Sequence, residues 1–408
     1  MRIVLFYSET DSFNFGTDQL AHILHSKGHE VFILDLLGPP AEDPHSYAHF
    51  VQFLSEKVDL VITFDGMGIR DDLLIEIWDS HQAVVADILL DPPLRFHPVL
   101  VKHPKAYLLF CCDMEHVEYV KKYFASTVPY VSFMPHFGVM PEKDAVVIPY
   151  KERKYDVLFT GTYYRYQDKL LEIEETFPKG SDMYRIYRQM FDNLVCDCSL
   201  SIEQALLYTL EQFGWSVSEE AVKTMLRCAV SIDWAIRTWQ RERVITALAE
   251  SGQEIYLLGK GWENCSAIHR SNVHRVDGWV TYGQTLLVTA DAKISLNVMP
   301  WFKAGTHDRI FNALLQHSLP LTDSSTWLTE HFTDGVDLAM YDLKELERLP
   351  DIVSRWLGDE TRAEEVIQRG YEKVRRSFTW ADCVEQIMET IRRTPVMNQG
   401  VIIKRSDK

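Results

Sequence analysis

Four loops in the second half of the chain combine glycine with cationic or hydrogen-bonding side chains. They are 161–165, 259–262, 277–280 and 303–309. Glycine allows a main chain to approach a ligand closely, and amide groups beside it can hold an anion. Arg165 and Arg309 add the planar fork that binds phosphate, and Lys260 adds a point charge. The pattern favours a pyrophosphate site, although each loop alone also fits a tight turn with a solvated cation.

The candidate binding residues of these loops are Gly161, Thr162, Arg165, Lys260, Gly278, Trp279, Gly305, Thr306, Arg309 and Asn312. Gly305 and Thr306 are predicted to open a helix, with Arg309 one turn inside it. The positive end of a helix dipole favours a diphosphate at that point, and an ordinary capped helix is the alternative. The peptide at Gly278 could hydrogen-bond a flat base, whereas the ring of Trp279 also suits core packing.

Candidate acid–base residues follow strand-like runs in the first half of the chain. We predict Asp113 and His136 as catalytic residues, because a carboxylate or an imidazole at a strand end can act as a base or bind hydroxyl groups of a substrate. The loops 8–16 and 65–68 and the residue Asp87 are predicted in equivalent positions. For each of them, a helix cap, a turn or a core contact is the alternative.

Several other chemistries lack their sequence patterns. The chain has no Gly-x-x-x-x-Gly-Lys-Ser/Thr loop, no His-Glu-x-x-His and no Gly-x-Ser-x-Gly. No complete Gly-x-Gly-x-x-Gly follows the first strand, which disfavours a dehydrogenase. No clear Asp-x-Asp is present, and the seven cysteines lack zinc-ligand spacing. We therefore expect no metal site and no resident cofactor.

Alternating strand-like and helix-like segments position these loops. The strand-like runs of the first half are 3–7, 31–34, 60–64, 83–86, 107–110 and 130–133, and those of the second half are 156–162, 254–259, 273–276, 292–297 and 319–323. Continuous apolar strands need helices on both faces of a parallel sheet, and ligands bind outside the carboxyl ends of such strands. The sequence therefore predicts an α/β protein with two Rossmann-like domains that face a cleft.

The predicted first domain spans residues 1–148 and the second spans 149–379. A polar connector at 141–155 precedes the restart of the strand pattern. A helix-rich stretch at about 167–251 is predicted as an insertion in the second domain. The last helix is predicted at 380–393 and a flexible polar tail at 394–408.

The composition is typical of a globular protein, with 46% hydrophobic and 25% charged residues among 408. The formal net charge of −17 disfavours nucleic acid and membrane surfaces as main partners, because their phosphate groups repel an acidic protein. No apolar run is long enough to span a bilayer, and the apolar start at 1–7 is too short for a signal peptide. An odd number of cysteines suggests no disulfide framework, so we expect a cytoplasmic protein.

Four motifs in the second half occur in a recognisable order. They are 155–162, 296–300 with 309–314, 319–323 with 330–335, and 378–380. Between about residues 155 and 391 they resemble the donor domain of spore-maturation CgeB-like proteins, which belong with the group 1, or family 4-like, glycosyltransferases. The block at 309–313 resembles the family's Arg-x-Phe-Glu-Ala, and Phe378-Thr379-Trp380 resembles its His-Thr-Trp.

This resemblance implies a GT-B fold, with the acceptor on the first domain and a nucleoside-diphosphate sugar on the second. It implies a hexosyltransferase that needs no metal and retains the anomeric configuration. Arg165 and Arg309 would bind the donor diphosphate, and the last helix would cross back to the first domain. Uridine diphosphate is the default nucleotide, and the sequence identifies neither the acceptor nor the oligomeric state.

The chain departs from the family pattern at two places. Asn312 stands where the family usually has a glutamate that holds the nucleotide ribose, and 316–318 replace a small-Gly pair. An amide can still hydrogen-bond hydroxyl groups, but it lacks the charge. Two alternatives to a transferase therefore stay open: a nucleotide-sugar epimerase, and a non-catalytic module that binds a nucleotide or a glycan.

Overall fold

The computed structural model describes residues 1–276 and 281–394, which form two compact α/β units. Among these residues, the first unit contains Met1–Phe137 and 378–394, and the second contains Gly138–Ser377. The segment 138–148, predicted in the first domain, thus lies in the second unit. Side chains of a helix in that unit hold its main chain, as described below.

A six-stranded sheet forms the centre of the first unit. Its strands are β1 (Arg2–Tyr7), β2 (Glu30–Asp35), β3 (Leu60–Phe64), β4 (Val84–Leu89), β5 (Tyr107–Cys111) and β6 (Val131–Phe133). All neighbours pair in parallel, in the order β2-β1-β3-β4-β5-β6. Every residue of β3, β4 and β5 is buried, as expected for strands covered on both faces.

Two predictions about loops of the first unit are wrong. Asp87 lies inside β4, paired with Thr63 and Leu109, because the buried run continues to Leu89. The predicted loop 8–16 is mostly helix, because the first helix begins at Asp11. The helices of this part are α1 (Asp11–Ser26), α2 (Tyr47–Phe53), α3 (Asp72–His81), α4 (His97–Val101) and α5 (Met114–Phe124).

The second unit contains another parallel sheet of six strands. They are β7 (Tyr155–Thr160), β8 (Ile255–Leu258), β9 (Val273–Arg275), β10 (Ala292–Asn297), β11 (Leu319–Asp323) and β12 (Ala339–Tyr341). Their order is β12-β11-β10-β7-β8-β9. The sequence pattern does not predict β12, a strand of only three residues at the edge of the sheet.

Ten helices of the second unit lie in the described residues. They are α6 (Tyr166–Thr176), α7 (Asp182–Cys196), α8 (Ile202–Gln212), α9 (Glu219–Cys228), α10 (Val230–Glu250), α11 (Tyr282–Ala290), α12 (Asp308–Leu315), α13 (Thr326–His331), α14 (Leu349–Gly358) and α15 (Glu360–Val374). The stretch 167–251 is helical, as its composition predicts. Val244, Ile245 and Leu248 of α10 belong to the core around β7 and β8, so α10 is the crossover helix between these strands.

The last described helix, α16 (Trp380–Arg393), packs within the first unit. A Cβ atom on Gly16 of α1 would lie 3.0 Å from the Trp380 ring, which explains a glycine inside a helix. Thr379 and Asp382 form a capping box at the start of α16. Within residues 1–276 and 281–394, no helix combines the length and apolar character needed to cross a membrane.

Candidate functional site

The strand order of the second sheet defines where a ligand should bind. β8 and β9 lie on one side of β7, and β10, β11 and β12 lie on the other. This is the 3-2-1-4-5-6 order of doubly wound folds, in which ligands bind at the carboxyl ends of the strands where the order reverses. That point is the boundary between β7 and β10, which carry Phe159 and Asn297 near their carboxyl ends.

Arg309 lies at this boundary. Its Nη1 donates a hydrogen bond of 2.7 Å to Oδ1 of Asn297, and its Nη2 lies 2.9 Å from Nε2 of His307. Its guanidinium carbon is 5.6 Å from the centre of the Phe159 ring. Burial lowers the pKa of Arg309, and the charge of Asp308 opposes this effect. Arg309 forms no ion pair with any described residue, so its charge remains available to an anionic ligand.

Two arginines of α10 approach the same place. The guanidinium carbons of Arg237 and Arg241 lie 4.0 and 5.1 Å from the centre of the Trp301 ring. Arg241 is also 6.0 Å from the Phe159 ring, and its Nη1 donates a hydrogen bond of 3.1 Å to the carbonyl oxygen of Thr162. Both distances to Trp301 are within the range of cation–π attraction. We refer to Arg237, Arg241 and Arg309 as the arginine cluster.

Arg237 and Arg241 were not predicted as site residues, although a signal was present in the sequence. Asp233, Arg237 and Arg241 are spaced four residues apart, so they form one stripe on a helix. Such a stripe is usually solvated, but here the three residues are at most 8% exposed. The stripe is buried because α10 packs against β8 and against α6 and α7. Within it, Nε of Arg237 lies 3.4 Å from a carboxylate oxygen of Asp233.

Asp323 at the end of β11 adds a titratable group to the site. Its Oδ1 accepts a hydrogen bond of 2.8 Å from the amide of Met299. Burial raises the pKa of Asp323 to about 7, while this amide and the charges of Lys303 and Arg309 act in the opposite direction. The carboxyl group can therefore hold or release a proton near neutral pH. Perturbed groups of this kind are concentrated at functional sites.

Comparisons with known proteins agree with this architecture. Residues 237–389 match a family model described as glycosyl transferase-like, whereas no curated protein sequence matches the chain. A sucrose-phosphate synthase from Thermosynechococcus elongatus is 12% identical, with a TM-score of 0.54 over 96% of this chain and 98% of that one. The DNA-modifying enzyme β-glucosyltransferase is 10% identical, with a TM-score of 0.53 over 95% and 100%. An α-glucosyltransferase in complex with UDP is 11% identical, with a TM-score of 0.52 over 96% and 100%.

The chain has the GT-B fold. At these identities the structural likeness establishes the fold alone. The family match begins at Arg237, the first residue of the arginine cluster, and continues into α16. The narrower resemblance to CgeB-like proteins stays a prediction.

Two details of the predicted phosphate loop in this GT-B unit are wrong. The helix opens at Asp308, with His307 as its N-cap, rather than at Gly305 and Thr306. Arg309 is therefore the second residue of α12, not a residue one turn inside it. Thr306 is fully buried, and the carbonyl oxygen of Gly305 accepts a hydrogen bond of 2.6 Å from Ser325. Nδ1 of His307 lies 3.4 Å from the amide nitrogen of Arg309, at the start of the helix.

The glycines around Lys260 have a different role from the predicted one. A Cβ on Gly259 would lie 2.3 Å from the carbonyl oxygen of Gly161, and one on Gly261 would lie 2.1 Å from that of Tyr163. They allow the loops after β7 and β8 to pack main chain against main chain, with Tyr163 N donating to Lys260 O at 2.9 Å. The close approach is therefore to the protein's own backbone. The Lys260 side chain is exposed.

In the loop after β7, main-chain carbonyl groups form the hydrogen bonds, whereas the side chain of Arg165 forms none with a described residue. The carbonyl oxygens of Gly161 and Thr162 accept from Trp262 Nε1 at 2.8 Å and from Arg241 Nη1 at 3.1 Å. Arg165 is exposed at the N-cap of α6, and its guanidinium forms no hydrogen bond or ion pair in the described part of the chain. Arg241 thus reaches the loop that Arg165 was predicted to serve. The predicted residues Gly278 and Trp279 lie outside the described residues.

Both the oxygen and the nitrogen of the Asn312 side-chain amide form hydrogen bonds within the protein. Its Oδ1 accepts from the amide of Val139 at 2.9 Å, and its Nδ2 donates to the Tyr282 hydroxyl at 2.8 Å. Gln316, one turn later, donates to the carbonyl oxygen of Val139 at 2.9 Å. The two side chains therefore form hydrogen bonds with both main-chain groups of one residue in the segment 138–148. A glutamate at 312 would lack the donor to Tyr282 and would lie beside the carboxylate of Asp308.

The two predicted catalytic residues lie in the first unit. Asp113 is fully buried and caps α5, where its side chain accepts from the amide of Glu115 at 2.7 Å. His136 is 7% exposed. Among the described residues, no group of three or more His, Cys, Asp or Glu side chains is arranged to hold a metal ion.

Proposed function

We propose that the chain is a glycosyltransferase that takes its sugar from a nucleoside-diphosphate sugar bound to the second unit. The observation that carries this proposal is the arginine cluster at the boundary of β7 and β10. Three guanidinium groups from α10 and α12 lie around Phe159 and Trp301 at the edge where doubly wound sheets bind nucleotides. The glycosyl transferase-like match over 237–389 supports the same activity.

The arginine cluster would act on the leaving group. Breaking the bond at the anomeric carbon places negative charge on the departing nucleoside diphosphate. Guanidinium groups that are already positioned can stabilise this charge without reorganisation. Phe159 and Trp301 hold the guanidinium carbons within 6.0 Å of their ring centres, which restricts where the charges can move. The interaction would be stronger than in water because Arg237 and Arg241 are buried and Arg309 is partly buried.

We propose uridine diphosphate as the leaving group. Two GT-B structures that resemble this chain were solved with UDP or with the substrate uridine diphosphoglucose. A hexosyl donor, retention of configuration, independence from metal and a cytoplasmic location are further parts of the proposal. The acceptor would bind the first unit.

His136 and Asp113 remain the proposed acid–base residues. For Asp113, the proposal requires that a substrate reach a carboxylate that caps α5 and has no exposed surface. An Asp113→Asn variant keeps the cap oxygen but loses the charge. We expect it to fold and to lose turnover, whereas turnover equal to wild type would remove Asp113 from the mechanism.

A panel of nucleotide sugars tests the proposed function. Each donor is incubated with the full chain and mixed acceptors, and the released nucleoside diphosphate is measured. We expect release with at least one uridine-based donor, and release about 100- to 1000-fold slower with an Arg309→Ala variant. If no donor in the panel releases its nucleotide, the transferase proposal fails.

A non-catalytic nucleotide-binding module is the second candidate, because Asn312 is bonded to Val139 and Tyr282. Such a module would gain thermal stability from UDP but would release no nucleotide from any sugar donor. Proton NMR of a donor incubated without an acceptor also identifies an epimerase, which would convert the sugar while the nucleotide stays attached.

A further inference from the structure

The first unit contains a cavity of about 350 Å³ that the proposed donor site does not use. It is lined by Arg70, Arg95, Phe96, Pro98, Val99 and Lys102. Arg70 lies in the loop after β3, and the other residues follow β4. The cavity is therefore near the carboxyl ends of two central strands, which is the side where open α/β sheets bind ligands. Its volume is within the range of small-molecule sites.

A turn in the left-handed region positions Arg70. Asp65 and Gly66 have φ values of 51° and 72°. This turn presents the carbonyl oxygen of Asp65 to Arg70, whose Nη2 donates to it at 2.5 Å. The turn also packs tightly, because a Cβ on Gly66 would lie 2.8 Å from Val99. Strained, tightly packed backbone of this kind occurs at ligand sites, where it fixes a side chain before the ligand arrives.

Two buried carboxyl groups tie the loops of the cavity together. Oδ1 of Asp65 accepts from the amide of Leu90 at 2.8 Å, which joins the Arg70 loop to the loop that carries Arg95. Asp87 in β4 accepts from the amide of Gly66 at 2.9 Å and from a tyrosine hydroxyl of β5 at 2.7 Å. The spacing of the two arginines is therefore set by buried hydrogen bonds and not by surface contacts.

The cavity is cationic on one side and apolar on the other. The Arg95 side chain is 9% exposed and pairs with Asp91 at 3.0 Å. Lys102 pairs with Asp72 at 2.5 Å, but both side chains are exposed, and such pairs contribute little. Arg70 forms no ion pair with a described residue, and its guanidinium carbon is 5.8 Å from the Phe96 ring. The residues that line the cavity include three cations and no carboxylate, so an anion is the ligand that this wall favours.

We propose that this cavity binds the phosphate group of a small phosphorylated molecule, with Arg70 and Arg95 on the phosphate and Phe96 and Val99 against the carbon skeleton. Arginine suits this role because its fork can contact two phosphate oxygens. In a glycosyltransferase, the molecule would be a sugar-phosphate acceptor. Only this last step rests on the proposed function.

Isothermal titration calorimetry of the full chain tests the proposal with two probes, inorganic phosphate and glucose 6-phosphate. We expect saturable binding of both, with glucose 6-phosphate tighter because the apolar wall contacts its carbon skeleton. Arg70→Gln should weaken both probes at least ten-fold, and Arg70→Lys should weaken them less. Arg393→Gln, an exposed arginine of the same unit, is the matched control and should bind as wild type does.

Three results would overturn the proposal: no saturable binding of either probe, equal affinity in Arg70→Gln and wild type, or tighter binding of glucuronate than of glucose 6-phosphate. Thermal unfolding of each variant shows whether it is folded. A parallel titration with UDP separates this proposal from the donor site, because Arg70→Gln should leave UDP binding unchanged. Failure of UDP binding with intact sugar-phosphate binding would contradict only the proposed function.

Discussion

Arg309 in the second unit and Arg70 in the first lie in comparable places but are held differently. Each is on a segment that follows a central strand, and neither forms an ion pair with a described residue. Arg309 is partly buried, with the amide oxygen of Asn297 and the imidazole of His307 as partners. Arg70 is exposed, with one main-chain oxygen as its partner.

The difference shows that burial, more than the number of charges, should decide the strength of each site. An ionic contact is several times stronger in a protein interior than in water. The arginine cluster lies between aromatic rings, whereas Arg70 is open to solvent and to screening by salt. We therefore expect larger effects from changes in the second unit than from matching changes in the first.

The largest effect is expected for Arg309→Ala. Loss of one positioned donor to the leaving group should lower kcat about 100- to 1000-fold, or about 3–4 kcal/mol of barrier. Steady-state kinetics at saturating donor measure this effect. Arg348→Ala, an exposed arginine of the same unit, is the control and should keep wild-type turnover. A kcat within two-fold of wild type in Arg309→Ala would remove the cluster from the chemical step.

The second effect concerns pH and compares Asp323 with Asp87. Burial raises their pKa values to about 7 and about 6. A raised pKa means that the folded state keeps the proton while the unfolded state loses it, so stability falls as pH rises from about 4 to the folded pKa. Between pH 4 and 7, the free energy of unfolding of Asp323→Asn should rise by about 2–4 kcal/mol relative to that of wild type, because one pKa unit is about 1.4 kcal/mol.

Urea unfolding at each pH measures this difference. Asp87→Asn should show a smaller gain that is complete near pH 6. Asn at 323 can still accept from Met299, so that variant isolates the charge. A difference from wild type that does not change with pH would contradict the assigned shifts.

The third effect compares two glycines with similar φ values. A Cβ on Gly261 (φ 86°) would lie 2.1 Å from a carbonyl oxygen, whereas one on Gly252 (φ 81°) would have no atom within 4 Å. In both variants the alanine must adopt the left-handed conformation, which lowers the free energy of unfolding by about 1–2 kcal/mol. Gly261→Ala should lose about 2–3 kcal/mol more, a large single-residue effect that reflects the steric clash.

Gly66→Ala sharpens this comparison between the units. Its Cβ would meet the side chain of Val99, which can move, rather than a carbonyl oxygen. We expect an unfolding free energy between those of the other two variants. Equal losses in Gly261→Ala and Gly252→Ala would show that the loops after β7 and β8 separate easily.

The smallest effect compares two glutamines that each hold a carbonyl oxygen. Gln316 donates to Val139 at 2.9 Å in the second unit, and Gln386 donates to Phe133 at 2.8 Å in the first. Gln316 is 8% exposed and Gln386 is more exposed. Alanine at 316 should lower the free energy of unfolding by about 1–2 kcal/mol, and alanine at 386 by about 0.5–1 kcal/mol. The difference arises because a buried carbonyl oxygen without a hydrogen bond destabilises the folded state more than an exposed one. A larger loss in Gln386→Ala than in Gln316→Ala, measured by denaturant unfolding, would contradict the stabilising role of the Gln316–Val139 hydrogen bond.

The strands were predictable because each is an apolar run of the right length. β3, β10 and β11 occur at the predicted residues. Parallel strands buried on both faces leave this pattern in the sequence itself. The edge strand β12 has three residues and therefore no such pattern.

The loops were less predictable, because their contacts come from distant parts of the chain. Arg241 follows four helices that separate it from β7, yet it bonds to Thr162 directly after that strand. Arg165 is adjacent to the strand in sequence and is exposed. The glycines at 259 and 261 were predicted to let the main chain approach a ligand, but the folded chain shows that the close neighbour is the loop after β7.

Titration of UDP and of uridine, which lacks the phosphates, tests the central claim most directly. The arginine cluster should bind the pyrophosphate and not the base. Wild type should therefore bind UDP far more tightly than uridine, and Arg309→Gln should weaken UDP at least ten-fold while leaving uridine unchanged. Equal weakening of both ligands, or of neither, would contradict the assignment of Arg309 to the pyrophosphate.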